Sequence, residues 1–198
     1  MSKIITISRQ YGSGGREIGK LVSEKLGIPF YDSQLIKLAS EKSGFSEKHF
    51  EDPEKNAGNS FLYSIARGMQ HQYRTATPWS FEETVFTTQS DVIRQVAAQG
   101  PAVFIGRCAD YILRKNPDLL KVFIFADYDF RAERAMRVNG IKPEDVKETI
   151  KVKDKRRANY YNYHADTKWG EASNYHIALD SSFVGIERAA DIIASLAE

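Results

Sequence analysis

Four residues, Gly12-Ser13-Gly14-Gly15, stand between an apolar run, Ile4-Ile5-Thr6-Ile7, and a segment of helical spacing that opens at Arg16. A glycine-rich turn at that place leaves several backbone N–H groups without an acceptor. It aims them, with the positive end of the helix dipole, at one point. Such a point holds an anion. Arg16 adds a guanidinium whose planar fork suits phosphate oxygens. More cations follow where ligands meet parallel sheets: Arg107 just after the third apolar run, and Arg131 and Arg134 one helical turn apart after the fourth. Lys153, Arg156 and Arg157 come later, on a long polar helix. Positive groups arriving from several directions are what transfer of a phosphoryl group requires.

The loop can be read in two registers. A literal match to G-x-x-x-x-G-K runs from Gly14 to Gly19-Lys20, with Leu21 where Ser or Thr should follow. Ile18 and Leu21 already belong to the apolar stripe of the helix, so Gly19 and Lys20 lie inside it, where amides have helical partners. The other register places the loop at Gly12–Gly15 and leaves Gly15 at the usual lysine position, with Arg16 beside it. Gly12-x-Gly14 also fits the start of a dinucleotide loop, with Asp32 as the ribose-binding acid at the end of strand two, but Glu17 replaces the third glycine. A turn built only for tight packing is the plainest alternative.

These residues need a frame. Apolar segments at Lys3–Ser8, Ile28–Tyr31, Ala102–Ile105, Leu119–Ala126 and Tyr175–Leu179 read as short buried strands. Helical patterns separate them: one ended by Gly27, one opening at Asp32 or Ser33, one over Ser60–Tyr73, and one from Ser80 to about Gln99 with a capping box. Others carry Arg131–Arg137, open at Pro143, or close the chain at Gly185–Leu196. Alternation of this kind predicts a parallel sheet with helices on both faces. The charge of +2, from 28 basic and 26 acidic residues, argues against bulk electrostatic binding of nucleic acid or an anionic membrane. Cys108 is the single cysteine, which rules out a disulfide framework and a cysteine-rich metal site. His49, His71, His164 and His176 lack metal-ligand spacing. No apolar run approaches the roughly 20 residues of a membrane span, so a soluble, cytoplasmic protein is expected.

At this point the chain resembles the cytidylate kinase-like proteins, a branch of the nucleoside monophosphate kinase group of P-loop kinases. The resemblance is carried by "ITISRQYGSGGREIGKLVSEKLGIPFYDSQLI", "FIGRCADYILRKNPDLLKVFIFA", "RAERAMR" and "YHIALDSSFVGIERAADII". It implies an α/β, P-loop kinase fold in a single domain: a core at 1–43, 81–139 and 173–198, a helical acceptor-binding insert at 44–80, and a lid at 140–172. The implied reaction passes the γ-phosphoryl of ATP, with Mg2+, to a nucleoside monophosphate such as CMP or another small acceptor. By this resemblance Gly12, Ser13, Gly14, Gly15, Arg16 and Glu17 hold the donor phosphates, and Asp180-Ser181-Ser182 lies beside the adenine. Arg131 approaches the adenine and lid side, Arg156 is the lid arginine, and Arg107 meets the acceptor; Arg16, Arg107, Arg131 and Arg156 form the catalytic set.

Asp32, Arg67, Arg74 and Arg157 complete the expected acceptor contacts. Tyr63, Arg67, Gln70 and Arg74 share one face of a helix, suited to a phosphate and a ring. Ser13, Glu17, Asp32 and Asp110 are the oxygen donors open to a metal. The chain departs from true cytidylate kinases in three places: Gly15 replaces the loop lysine, Cys108 replaces an acid after the strand-three arginine, and Arg157 and Tyr160 replace an aspartate and a second arginine in the lid. Two other classes stay open: a nucleotide-binding protein with little or no kinase activity, and a dinucleotide-dependent oxidoreductase.

Overall fold

The computed structural model describes residues 4–32 and 81–197. The helix expected from Asp32 or Ser33, the segment 44–80 and the face bearing Tyr63, Arg67, Gln70 and Arg74 lie outside them. The chain divides into two compact units, Met1–Asp32 with Ala97–Glu198, and Ser33–Val96. The described part of the second is most of helix α2 (Phe81–Ala97).

Five strands form one sheet: β1 (Ile4–Arg9), β2 (Phe30–Tyr31), β3 (Val103–Ile105), β4 (Leu119–Phe125) and β5 (Ile177–Asp180). All pairs are parallel and the order is β2-β3-β1-β4-β5. β1 and β4 lie inside the sheet, which is why Ile5, Ile7, Val122 and Ile124 are fully buried and the strands read as mainly apolar runs. The connections are α1 (Gly15–Leu26), the short α3 (Ala109–Ile112), α4 (Tyr128–Asn139), α5 (Val146–His164), a turn-long α6 (Ser181–Val184) and α7 (Ile186–Ala197). α1 and α7 pack together on one face of the sheet, where Ile18, Val22, Ala189, Ala190 and Ile193 join the strand residues in the core.

The predicted strands are present, with no end displaced by more than two residues. Pro143 opens a 3-10 turn, Pro143–Asp145, ahead of α5 instead of the helix itself. The order settles the dinucleotide alternative. In a dinucleotide-binding sheet β2 lies beside β1, so that an acid ending β2 reaches the ribose next to the loop. Here β3 stands between them. Among the described residues no helix is long and apolar enough to cross a membrane.

Candidate functional site

α1 begins at Gly15, capped by Gly14 in the left-handed region at φ 77°. The register at Gly12–Gly15 is therefore the one the backbone takes. Gly19 is a packing residue inside the helix, with Ile7 and Phe30 side chains within 3.3 Å of where its β-carbon would be. Among the described residues, no acceptor pairs with the amides of Gly14, Gly15, Arg16 and Glu17; the Ile18 amide is the first to be satisfied, by the Gly14 carbonyl at 2.9 Å. That run of open donors faces a cleft of about 500 Å3 lined by the loop glycines, Arg9, Arg16, Lys20, Arg134, Arg157 and one acid, Glu17.

The loop is held from below and from both sides. The Ser13 hydroxyl, fully buried, donates to the Gln10 carbonyl at 2.9 Å, with the Ile124 carbonyl 3.2 Å away. The Ser181 hydroxyl donates to the Ser13 carbonyl at 2.6 Å. Gln10 Oε1 accepts from the Ala126 amide at 3.2 Å, tying the loop to the end of β4. On the other side Arg131, from α4, donates through Nε to the Tyr11 carbonyl at 2.7 Å and through Nη2 to Asp154 Oδ2. Asp154, from α5, accepts the Tyr11 amide on Oδ1 at 2.7 Å. Arg157, one turn further along α5, donates to the Arg9 carbonyl at 3.0 Å and lies 5.6 Å from the Tyr11 ring centre. Burial raises the Tyr11 hydroxyl above its ordinary range, and the Arg157 charge works against that rise.

This geometry corrects several expectations. Ser13 turns its hydroxyl inward, so it is placed to shape the loop and not to ligate a metal. Ser181 is likewise fully buried under the loop, and Asp180 caps α6 by accepting the Ser182 amide at 3.0 Å. Arg131 is only 7 % exposed and acts on the loop backbone; Arg134, paired with Glu17 at 2.5 Å, is the α4 arginine that lines the cleft. On α5 it is Arg157, not Arg156, that reaches the loop. The two differ by about 100° around a helix, and Asp154 and Arg157 share the inner face. Arg16 directs Nε to Asp32 at 2.6 Å and its guanidinium lies 5.8 Å from the Phe30 ring centre. Asp32 is thus a partner of Arg16 in this structure.

Arg107 follows β3 in an unusual turn: Gly106, Arg107 and Cys108 all have left-handed φ, 66°, 58° and 54°. For residues with a β-carbon that conformation costs about 1–2 kcal/mol each. Strain of this kind persists where the surroundings fix a side chain's direction. We expect Arg107→Gly to be more stable than Arg107→Ala by about 1 kcal/mol in urea unfolding, because only glycine relieves the torsion.

Asp110 lies just beyond, at 2 % exposure, and accepts from the Tyr161 hydroxyl at 2.9 Å. It is a buried tie between α3 and α5 through Oδ2. Burial holds its carboxyl above the usual aspartate range, with the Tyr161 hydrogen bond opposing. Burial and the nearby Asp110 carboxylate push the Tyr161 and Tyr175 hydroxyls up as well. A raised folded-state value means that Asp110 favours the fold in its protonated form. Stability relative to Asp110→Asn should therefore fall as pH rises past the ordinary 3.8. Urea midpoints of both proteins across acidic and neutral pH measure this, and a difference that is flat or grows with pH would contradict it.

Among the described residues, no three His, Cys, Asp or Glu side chains come together so as to hold a metal ion. Glu17 and Asp32 are each paired with an arginine. The described residues do not form a prepared Mg2+ site.

The family model of the cytidylate kinase-like family matches residues 4–183. The chain belongs to that family. A curated cytidylate kinase from Methanobrevibacter smithii is 23 % identical over 159 residues, covering 80 % of this chain and 77 % of its own. Among solved structures, an uncharacterized protein from Eubacterium ventriosum superposes with a TM-score of 0.71 at 26 % identity, covering 98 % and 97 % of the two chains. A shikimate kinase from Acinetobacter baumannii in complex with shikimate gives 0.53 at 14 % identity, over 99 % and 93 %. A gluconokinase from Sinorhizobium meliloti gives 0.53 at 17 % identity, over 99 % and 94 %. The fold is that of the P-loop kinases, and the family, together with these neighbours, supports a nucleotide-kinase type of phosphotransferase.

Proposed function

We propose that this protein transfers the γ-phosphoryl group of ATP to a small acceptor, a nucleoside monophosphate such as CMP foremost, with another phosphorylated or hydroxyl-bearing molecule as the wider class. The observation that carries this reading is the run of unpaired amides at Gly14–Glu17 opening on a cleft lined by arginines. The triphosphate lies against those amides, Arg134 and Arg157 meet its charge, and Arg107 faces the acceptor. Segments 44–80 and 140–172 serve as acceptor-binding insert and lid, with Arg67 and Arg74 on the former. Mg2+ enters with ATP as part of the substrate, since the described side chains hold no prepared place for it. Catalysis is by position and charge, with no covalent enzyme intermediate.

The second reading, a nucleotide-binding protein with little transferase activity, is favoured by one feature: Gly15 at the lysine position. A coupled assay of ADP release across nucleoside monophosphates and small metabolites separates the two. Acceptor-dependent ADP release is expected. ATP binding without ADP release for any acceptor would establish the second reading, and no ATP binding would overturn both.

A further inference from the structure

Set against G-x-x-x-x-G-K-[ST] with Gly14 as its second glycine, the loop departs twice in opposite senses. Arg9 stands where the first glycine belongs, and Gly15 where the lysine belongs. In space the two exchanges are one. Gly15 opens α1 without a left-handed φ, so no torsion calls for glycine there. Arg9 does. A β-carbon at position 15 would sit 2.6 Å from Arg9 Cβ and 3.0 Å from Arg9 Cγ, closer than packed carbons approach. The Arg9 side chain then runs from the end of β1 toward the end of β3, where a β-carbon on Gly106 would collide with its guanidinium. Gly106 has a second reason to be glycine in its φ of 66°; Gly15 has only the arginine. Two glycines in separate connections clear a path for one side chain.

Each arginine at the loop, Arg9 included, has a partner within the protein. Arg16 turns to Asp32, Arg134 to Glu17, and Arg157 to the Arg9 carbonyl. Arg9 lines the cleft beside the open amides of α1 and lies against the turn that carries Arg107. That is the ground between the donor phosphates and the proposed acceptor.

We infer that Arg9 is the catalytic cation of this site, delivered from the last residue of β1 in place of the loop lysine, and that it binds oxygens of the β- and γ-phosphoryl groups of ATP. The inference rests on the phosphotransferase reading above. In the step it serves, the γ-phosphorus bond to the β–γ bridging oxygen breaks as the bond to the acceptor oxygen forms, and ADP leaves with the electron pair. The guanidinium neutralises charge on the moving oxygens and is itself unchanged.

Calorimetric titration of the full chain with Mg-ATP tests this on Arg9→Ala, Arg9→Lys, Gly15→Lys and the double variant Arg9→Gly/Gly15→Lys. Arg9→Ala should weaken ATP binding by about 10- to 100-fold, the range that charge-assisted hydrogen bonds supply. Gly15→Lys alone should also weaken it, because the new stem and the Arg9 stem cannot share the space. The double variant, with the cation moved to position 15, should recover most of the loss. Arg9→Lys, which keeps charge and stem, secures a reading if Arg9→Ala does not fold; it should bind more weakly than the native protein, lacking the fork. Undiminished binding by Arg9→Ala or Arg9→Lys, or tight binding by Gly15→Lys with Arg9 in place, overturns the inference and leaves the phosphotransferase reading intact. Failure of the unaltered protein to bind ATP overturns both.

Discussion

Asp154→Ala should lower the stability of this protein by about 3 kcal/mol, the lower end of what removing one partner of a buried ion pair costs. The Arg131 side chain is 9 % exposed and that of Asp154 18 %, so the guanidinium would be left almost enclosed with no counter-charge. The Tyr11 amide would lose its acceptor at the same time. Asp154→Asn should cost less, because an amide oxygen can still accept from Tyr11. Urea unfolding of the two variants gives the comparison. Equal losses would mean that the charge of Asp154 carries the effect and that an acceptor for the Tyr11 amide adds little. The loop should suffer together with the fold, since Arg131 and Asp154 hold both the carbonyl and the amide of Tyr11, directly before Gly12.

Gly12→Ala is the second large effect. Gly12 has φ 80°, and a β-carbon there would lie 2.5 Å from the carbonyl oxygen of Arg131 and 3.0 Å from its Cα. Those atoms are backbone, so no rotamer change gives way. A left-handed alanine costs about 1–2 kcal/mol by itself. Forcing extra atoms into packed structure adds about 1–3 kcal/mol. A total near 3 kcal/mol is expected, and the proposed ATP binding should weaken by about tenfold or more as the loop shifts from α4. Gly27→Ala is the control: its φ is 63° but nothing lies within 4 Å of the added carbon, so only the torsional cost of about 1 kcal/mol should appear. Comparable losses at the two positions would show that contact with Arg131 is not what position 12 resists.

The frame of the molecule was readable because its signals are local. Apolar runs such as Leu119–Phe125 can hardly be anything but buried strands, and the stripe of Ile18 and Val22 dated the start of α1 closely enough to choose the loop register. The order of strands was not readable. Runs of similar composition carry no mark of their neighbours, and the placement of β3 between β1 and β2 is a property of the assembled sheet. Within the site, sequence pointed to arginines but not to their facing. α5 buries only Val146, Ile150 and Tyr161, a sparse stripe on a charged helix, but one that shares its face with Asp154 and Arg157 and turns Arg156 away. Asp154 escaped notice as a single acid on a charged helix. Its spacing of three from Arg157, matched by that of Arg131 and Arg134, was the available signal. Arg9 was hidden for another reason: as the last residue of a strand it looks like a boundary, and only the collision it would have with a side chain at position 15 gives it a role.

The hydroxyl of Ser181 joins residues 168 positions apart, binding a turn near the start of the chain to the end of β5. During synthesis, therefore, the first helix and strand emerge long before the hook that finishes their turn. A partly made chain can form α1, but the Ser13 carbonyl gains the Ser181 hydroxyl only once the region around 177–181 has left the ribosome and docked beside β4. If the proposed function holds, the loop is completed late, with the last strand, and ribosome-bound chains stopped short of residue 181 should bind ATP more weakly than the full chain.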